Sequence, residues 1–335
     1  MQAAIYGLSG PELNGDERSF FRDSDPAGYI LFARNCVSTE QLRRLTDDLR
    51  SLHGRTDLPI LIDQEGGRVA RMRPPEWPAF PRGEAFDRLY QLAPMSAIEA
   101  TRMNARAIAL VLRSAGINVN CLPMLDVRQP GASDIVGDRA YGAEPMQVAA
   151  LGRAVLDGMG SAGVVGVVKH MPGHGRALVD SHKELPVVSA SAQELEVDLE
   201  PFERLREAPM GMVAHILFEA WDRDRPSSQS AAVIDEIIRG RIGFQGFLMT
   251  DDIGMEALSG SPGERSAAAL AAGCDCTLHC SGKFDEMVDV AEHVGGLTAD
   301  AEARLARAMA GTMIEDDGPA LAYAAAKRDE LLALA

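Results

Sequence analysis

Eight short apolar runs recur along the chain, and each is followed by a loop and then by a stretch with helical character. Each run is a few residues long and rich in Val, Ile or Leu, which is typical of strands that are buried on both faces. Strands that alternate with helices predict a parallel sheet. The runs lie at residues 3–8, 28–32, 59–62, 117–122, 166–168, 211–214, 246–249 and 276–278.

The number of these units decides between two architectures. The chain has 335 residues. That length allows either two domains of about 150 residues or one barrel of roughly 250 residues with extensions. An open dinucleotide-binding sheet would carry a GxGxxG turn after an early strand, and the sequence has none. The eight units therefore predict an α/β protein that folds as a (β/α)8 TIM barrel in a single domain.

Helical stretches are predicted between and after the apolar runs. Ser38 and Gln41 have the spacing of a capping box at the start of one of them. Two further stretches follow the last run, so we expect a barrel over residues 1–296 and a C-terminal helical extension over 297–335, packed on the barrel or on a partner. The predicted helices are 38–52, 96–114, 145–162, 191–207, 230–241, 263–272, 298–313 and 318–335.

The charge of the chain argues against two classes of partner. Lys and Arg number 33 and Asp and Glu 49, so the formal net charge is −16. Such a chain repels phosphate backbones and anionic lipid headgroups, and we expect neither nucleic acid nor membrane as a partner. Residues 1–17 lack the pattern of a secretory signal, and five Cys is too low and odd a count for a disulfide framework. We therefore expect a cytoplasmic protein with free thiols.

Charged and polar side chains follow five of the predicted strands. In a TIM barrel the active site lies at the C-terminal ends of the strands, so these residues should converge there. Charged groups gathered at one place cost desolvation energy unless they are paired or used, and a polar ligand site needs such a set. The strand-end residues are Asp63, Asp126, Lys169, His170, His215, Asp251 and Asp252.

The loop at residues 169–182 holds three of the seven His. His170 and His174 have the spacing of a helical metal pair, but the Pro and Gly between them break the required helix. Asp180 and His182 are two residues apart, so in an extended loop both side chains point the same way and the Asp can orient the imidazole as a general acid. A metal site is not expected here. Nor is one expected at residues 274–280, because one short strand cannot wrap an ion with three Cys and one His.

Two further loops carry candidate residues. Asp251 and Asp252 are adjacent, so in extended chain one carboxylate faces the barrel mouth while the other faces the structure. The mouth-facing carboxylate could act as base, metal ligand or nucleophile. In the loop from Asp63 to Arg71, two Gly allow the backbone to approach a ligand, and the fork of donors on Arg71 suits a hydroxyl or carboxylate.

Four strings in the sequence resemble glycoside hydrolase family 3, and more narrowly its single-domain bacterial β-N-acetylglucosaminidases of the NagZ type. The strings are IDQEGGRV (62–69), KHMPGHG (169–175), DSH (180–182) and TDDIGM (250–255). The resemblance runs in order over residues 5–280. It implies a (β/α)8 barrel that removes terminal β-linked N-acetylglucosamine with retention, through a glycosyl-enzyme intermediate, and without a metal or other cofactor. The branch acts in the cytoplasm on muropeptide fragments in peptidoglycan recycling.

The resemblance also implies roles for individual residues. Asp251 matches the nucleophile, His182 the acid/base and Asp180 its partner. Met171 and Asp138 depart from the common Phe and Asn at their positions, and the second change leaves the hydrogen bonding around Arg139 open. The residues that match sugar contacts are Asp63, Arg71, Arg139, Lys169 and His170.

Other functions remain open from the sequence. The same site could serve a β-glucosidase or an N-acetylglucosaminide phosphorylase. A catalytically silent sugar-binding barrel is a different class, and a metal-dependent barrel hydrolase is another. We expect a small-molecule glycan or muropeptide as the partner, and the oligomeric state is open. Because Arg71, Arg139 and Lys169 oppose the sign of the whole chain, we also hypothesise a locally positive mouth that suits an anionic muropeptide tail.

Overall fold

The computed structural model describes residues 1–181, 183–312 and 317–335. Eight parallel strands close into a barrel in the order β1-β2-β3-β4-β5-β7-β9-β10, with β10 paired to β1. Each of the eight apolar runs overlaps one barrel strand, so the predicted TIM barrel is confirmed. The strands are β1 Gln2–Gly7, β2 Pro26–Leu31, β3 Ile60–Ile62, β4 Val119–Asn120, β5 Val165–Met171, β6 Val187–Val188, β7 Met210–Val213, β8 Leu217–Phe218, β9 Phe247–Asp252 and β10 Cys276–His279.

The strands β6 and β8 form a small parallel sheet outside the barrel, which the sequence did not predict. Each has two residues, too few to show a period. Val188 and Phe218 are buried there in a cluster with Ala177, Leu195 and Ile216. The small sheet therefore joins the loop that follows β5 to the loop that follows β7.

Ten α-helices and one π-helix surround the barrel within the described residues. The predicted helices are present, with ends shifted by a few residues, and α1, α3 and α8 were missed. Helix α1 could have been predicted from the sequence, because Asn14 and Glu17 have the spacing of a capping box and form one in the structure. The helices are α1 Gly15–Ser24, α2 Thr39–His53, α3 Gly83–Leu92, α4 Pro94–Ser114, α5 Pro145–Gly160, α6 Ala192–Arg204, α7 Pro262–Ala271, α8 Phe284–His293, α9 Ala299–Ala310 and α10 Leu321–Leu332, and the π-helix is Val233–Arg241.

Helix α9 closes the end of the barrel at which the strands begin. Its side chains Leu305 and Met309 are buried in one cluster with the side chains that fill the barrel interior. Arg304 Nη1 donates to Asp275 Oδ1 at 2.7 Å, just before β10. The opposite end of the barrel, where the strands finish, is not covered by α9. The division of the chain at residues 296 and 297 remains a prediction.

Helix α10 packs along α4. Ala324 is fully buried, and Arg328 donates to Asn104 Oδ1 at 3.2 Å. No helix in the described part of the chain is both long and apolar enough to cross a membrane. All five Cys are free thiols, as expected.

Candidate active site

A cavity of about 340 Å³ opens at the C-terminal ends of the barrel strands. Seven of the eight predicted site residues line it, and the eighth, His182, lies outside the described residues. Of the strand-end residues that were expected to converge, Asp63, Lys169, His170, Asp251 and Asp252 line this cavity. The seven are Asp63, Arg71, Arg139, Lys169, His170, Asp180 and Asp251.

One side of the cavity is a network of two carboxylates and three cations. Asp63 accepts from Arg71 Nη2 at 2.9 Å and from Lys169 Nζ at 3.0 Å. Glu65 takes both nitrogens on one edge of the Arg139 guanidinium, at 2.8 and 2.7 Å. Lys169 Nζ also lies 2.7 Å from Glu65 Oε1. The network joins the loop after β3, the loop after β4 and the end of β5.

The network keeps all of its members charged. Burial opposes ionisation of Asp63 and Glu65, but the neighbouring cations hold the pKa of each carboxyl below its ordinary value. Burial likewise opposes the charge on Lys169 and Arg139, and the two carboxylates more than reverse it, so both pKa values are raised. At neutral pH these groups present fixed, directed donors and acceptors to whatever enters the cavity.

These contacts weaken the hypothesis of a positive mouth. The cations that oppose the net charge of the chain are each paired within the site. Arg71, Arg139 and Lys169 bond to Asp63 or Glu65, and Arg68 at the rim bonds to Asp138 Oδ1 at 2.8 Å. Asp63 and Arg71 belong to one loop, but Arg139 and Lys169 lie far along the chain from their carboxylate partners, so the sequence could not show those two pairings.

His170 is held from one side and faces the opposite wall of the cavity. Its Nδ1 lies 2.7 Å from Asp126 Oδ2, and Asp126 is fully buried. Its Nε2 lies 4.0 Å from Asp251 Oδ2, which is beyond hydrogen-bond distance. The pairing with Asp126 fixes the plane of the ring and directs Nε2 toward Asp251.

The two adjacent carboxylates at the end of β9 make different contacts, as predicted. Asp252 Oδ1 accepts the backbone N–H groups of Gly254 and Cys280 at 3.0 and 3.1 Å, and so supports the loop. Asp251 Oδ1 accepts the Asp252 N–H at 2.8 Å, while its Oδ2 faces His170. Burial opposes its ionisation, but His170 and His215 lower the pKa of Asp251, which is therefore a carboxylate at neutral pH.

The loop that carries Asp180 is anchored at several points. Asp126 Oδ1 accepts the His174 N–H at 2.6 Å, and His174 Nε2 lies 3.3 Å from Ser181 Oγ. Arg176 Nε donates to Asp198 Oδ2 on α6 at 2.6 Å. Gly175 packs so closely on the loop after β4 that a Cβ there would lie 1.9 Å from the Val127 carbonyl oxygen. Close packing therefore requires glycine at position 175.

Some residues that line the cavity were not predicted as members of the site, among them Glu65, His174 and Ser181. Asp126 and His215, two of the predicted strand-end residues, lie directly behind the cavity. Glu65 could have been found, because it follows Asp63 by two residues and shares its side of an extended loop. His174 could not, because its place depends on how the loop folds back on itself.

The described residues contain no group of three or more His, Cys, Asp or Glu side chains arranged to hold a metal ion. Cys274 and Cys276 are buried below the cavity, and burial raises the pKa of Cys274 to about 12. The expectation that the protein needs no metal stays a prediction.

Comparison with known proteins decides the family. Residues 3–310 match the sequence profile described as the glycosyl hydrolase family 3 N terminal domain. The chain belongs to glycosyl hydrolase family 3. This family assignment confirms the resemblance drawn from the four strings, and it covers the barrel, its loops and α9.

Relatives within family 3 agree with this assignment. A protein named Beta-hexosaminidase from Alkalilimnicola ehrlichii is 38% identical over 282 residues, which cover 83% of this chain and 80% of that protein. Another Beta-hexosaminidase, from Bordetella avium, is 35% identical over the same coverage. The prediction of a glycoside hydrolase of the β-N-acetylhexosaminidase class is therefore confirmed.

Solved structures of family 3 share the whole fold. The native structure of NagZ from Neisseria gonorrhoeae is 29% identical and has a TM-score of 0.87, covering 99% of this chain and 98% of that one. The same NagZ in complex with N-trifluoroacetyl-D-glucosamine is 28% identical, has a TM-score of 0.89 and the same coverage. The similarity extends beyond the barrel to the helices that follow it.

Proposed function

We propose that this chain is a retaining exo-β-N-acetylglucosaminidase that uses Asp251 as its nucleophile. One observation carries the proposal. Asp251 Oδ2 faces His170 across a cavity of about 340 Å³, near the lower limit of ligand pockets and suited to one sugar rather than an extended chain. The lowered pKa of Asp251 supports a role that requires the ionised form.

The reaction has two steps. In the first, an Asp251 oxygen attacks the anomeric carbon, the glycosidic bond breaks, and the leaving oxygen takes a proton from the acid. In the second, water attacks the same carbon, gives its proton to the base and releases Asp251. Two inversions at one carbon give net retention. Asp252 supports this assignment to Asp251 because its own oxygen is occupied by two backbone N–H groups.

His182, with Asp180 beside it in the chain, is proposed as the acid and base. The assignment comes from the DSH string, since His182 lies outside the described residues. Asp180 lines the cavity, which supports it. A neutral His as the base adds no second anion beside Asp251, unlike the two-carboxylate arrangement of most retaining glycosidases.

The sugar hydroxyls are proposed to bind the network on the other side of the cavity. Asp63, Arg71, Arg139, Lys169 and His170 supply charged donors and acceptors whose directions are set by their own pairing. Charge-assisted hydrogen bonds to fixed groups give both affinity and orientation. The complex of the gonococcal NagZ with N-trifluoroacetyl-D-glucosamine supports a sugar with an N-acyl group as the ligand.

The natural substrate is proposed to be a muropeptide fragment, with terminal N-acetylglucosamine linked to an anhydro-N-acetylmuramic acid peptide. Peptidoglycan recycling and a cytoplasmic location belong to the same proposal. The support is the resemblance to the NagZ branch. The pairing of the cations in the cavity means that charge attraction to an anionic tail adds nothing to this support.

The deciding experiment compares an aryl β-N-acetylglucosaminide with the matched aryl β-glucoside. We expect a higher kcat/KM for the first and a product that is free N-acetylglucosamine, initially the β-anomer by NMR. A preference for the glucoside would make the protein a β-glucosidase. Formation of a sugar phosphate when inorganic phosphate is added would make it a phosphorylase, and no turnover of either substrate would favour a silent sugar-binding barrel.

A further inference from the structure

We propose that Glu65 is a positioning residue for the sugar, which acts by holding Lys169 and Arg139 in the directions in which the cavity presents them. The inference rests on the proposed function, since it takes both cations as sugar-binding groups. Glu65 itself is 7% exposed, and its two oxygens are occupied by these two cations.

The geometry ties three separate parts of the chain to one carboxylate. Glu65 belongs to the loop after β3, Arg139 to the loop after β4, and Lys169 to β5. Arg139 is bound through both nitrogens of one edge, a planar arrangement that fixes the guanidinium in orientation as well as in place. Lys169 shares the Oε1 atom that Arg139 Nη2 uses. A movement of the Glu65 carboxylate would therefore displace both cations.

The loop that carries Glu65 is itself rigidly shaped. The Glu65 N–H donates to the Val69 carbonyl at 2.9 Å and closes a tight turn. Gly66 has a φ of +105°, and a Cβ there would lie 2.2 Å from the Pro81 carbonyl oxygen. The backbone can take this shape only with Gly at position 66. The turn fixes the start of the Glu65 side chain, so its carboxylate is a fixed anchor.

The two cations depend on Glu65 to different degrees. Lys169 keeps Asp63 as a second carboxylate at 3.0 Å. Arg139 keeps only a neutral partner among the contacts described, the Ile135 carbonyl at 2.8 Å. Loss of the Glu65 charge therefore loosens Arg139 more than Lys169. It also leaves the three cations of the network with Asp63 as their one carboxylate.

The kinetic consequence follows from what these cations touch. We assign to Lys169 and Arg139 sugar hydroxyl groups that take no part in bond breaking, and contacts to such groups are equally strong in the bound substrate and in the transition state. Loss of such uniform binding raises KM and changes kcat little. A positioning role for Glu65 thus has a signature that a role in proton transfer would not have.

The test is Glu65→Gln, which keeps the shape and removes the charge. With an aryl β-N-acetylglucosaminide we expect KM to rise about tenfold and kcat to change less than about threefold, whatever the leaving group. A fall in kcat that grows with poorer leaving groups would overturn the proposal and assign Glu65 to proton transfer. Unchanged KM and kcat would also overturn it.

The matched control is Asp275→Asn. Asp275 is equally buried and is also paired with two arginines, Arg239 at 2.9 Å and Arg304 at 2.7 Å, but it lies at the opposite end of the barrel. Its variant should be less stable to heat and have the wild-type KM. A KM rise in both variants would mean that loss of any buried ion pair loosens the site, which would contradict a specific role for Glu65.

A double-mutant cycle with Arg139→Met keeps the test usable if the single Glu65 variant folds poorly, because the double variant removes both charges. If Glu65 acts through Arg139, adding Glu65→Gln to Arg139→Met should change KM little further. If the fold-increases in KM of the two single variants multiplied in the double variant, the proposal would be overturned. The proposed function is tested separately by turnover in the wild-type protein. No turnover by the wild type would refute the proposed function, whereas an active wild type with an unchanged KM in Glu65→Gln would refute the role of Glu65.

Discussion

The Nε2 atom of His170 lies 4.0 Å from the Oδ2 atom of Asp251, while the Nδ1 atom of the same ring is 2.7 Å from Asp126. The histidine is thus hydrogen-bonded on its buried side, and its other nitrogen stands beyond hydrogen-bond distance from the Asp251 carboxylate. A direct bond between His170 and Asp251 would occupy the lone pairs that attack on a sugar requires. The separation means that His170 does not occupy the Asp251 Oδ2 atom with a hydrogen bond, which suits the proposed role of Asp251 as nucleophile.

Replacement of Asp251 by Ala should reduce turnover of an aryl β-N-acetylglucosaminide by roughly 10³-fold or more, because the covalent step is lost. Added azide should restore part of the rate and give the α-glycosyl azide, since a small anion can attack from the vacated face. The product is identified by NMR. Near-normal activity without azide would rule out Asp251 as the nucleophile.

Replacement of His182 by Ala should slow substrates with poor leaving groups far more than activated ones, because only the former need a proton at the departing oxygen. The measurement is kcat/KM across aryl glycosides whose leaving phenols differ in pKa. Equal losses across the series would contradict an acid role. Asp180→Asn should show the same trend more weakly if it supports His182.

Replacement of Gly175 by Ala should damage the loop that carries Asp180, because the added Cβ would lie 1.9 Å from the Val127 carbonyl oxygen. We expect a loss of about 1–3 kcal/mol of unfolding free energy together with a lower kcat/KM. The control is Gly15→Ala at the start of α1, where a Cβ meets nothing within 4 Å. Similar effects from both changes would contradict the packing argument.

Replacement of Asp198 by Asn should change how stability depends on pH. Burial raises the pKa of Asp198 from 3.8 to about 6, although Arg176 opposes this. The folded state therefore binds the proton more tightly than the unfolded state, so Asp198 destabilises the fold as pH rises from about 4 to 6. The free energy of unfolding of Asp198→Asn, measured with urea and compared with wild type, should therefore rise by about 3 kcal/mol between about pH 4 and pH 6. If the unfolding free energies of the variant and the wild type changed equally with pH, the raised pKa of Asp198 would be contradicted.

The KM for a muropeptide should depend weakly on salt concentration. The cations near the cavity are paired with carboxylates, so they present little net field to an anionic tail. The measurement is KM for the muropeptide and for a neutral aryl glycoside at low and high salt. A steep rise in KM for the muropeptide alone would restore the hypothesis of a positive mouth.

The sequence was sufficient for the architecture and for most of the candidate site. Eight buried parallel strands produce continuous apolar runs in the sequence. The end of each run marks the end of the barrel at which active sites lie. The sequence could therefore assign Asp63, Lys169, His170 and Asp251 to one cavity in advance. The short strands β6 and β8 left no pattern, because two residues carry no period.

Tertiary structure alone decided how the charges in that cavity combine. Glu65, Arg139 and Lys169 are separated by dozens of residues, and their convergence depends on the shapes of two loops and the end of one strand. Local sequence reports which side chains are charged and roughly where they lie. Whether a cation meets a ligand unpaired or already neutralised depends on contacts a few ångströms long, and only the folded chain sets those distances.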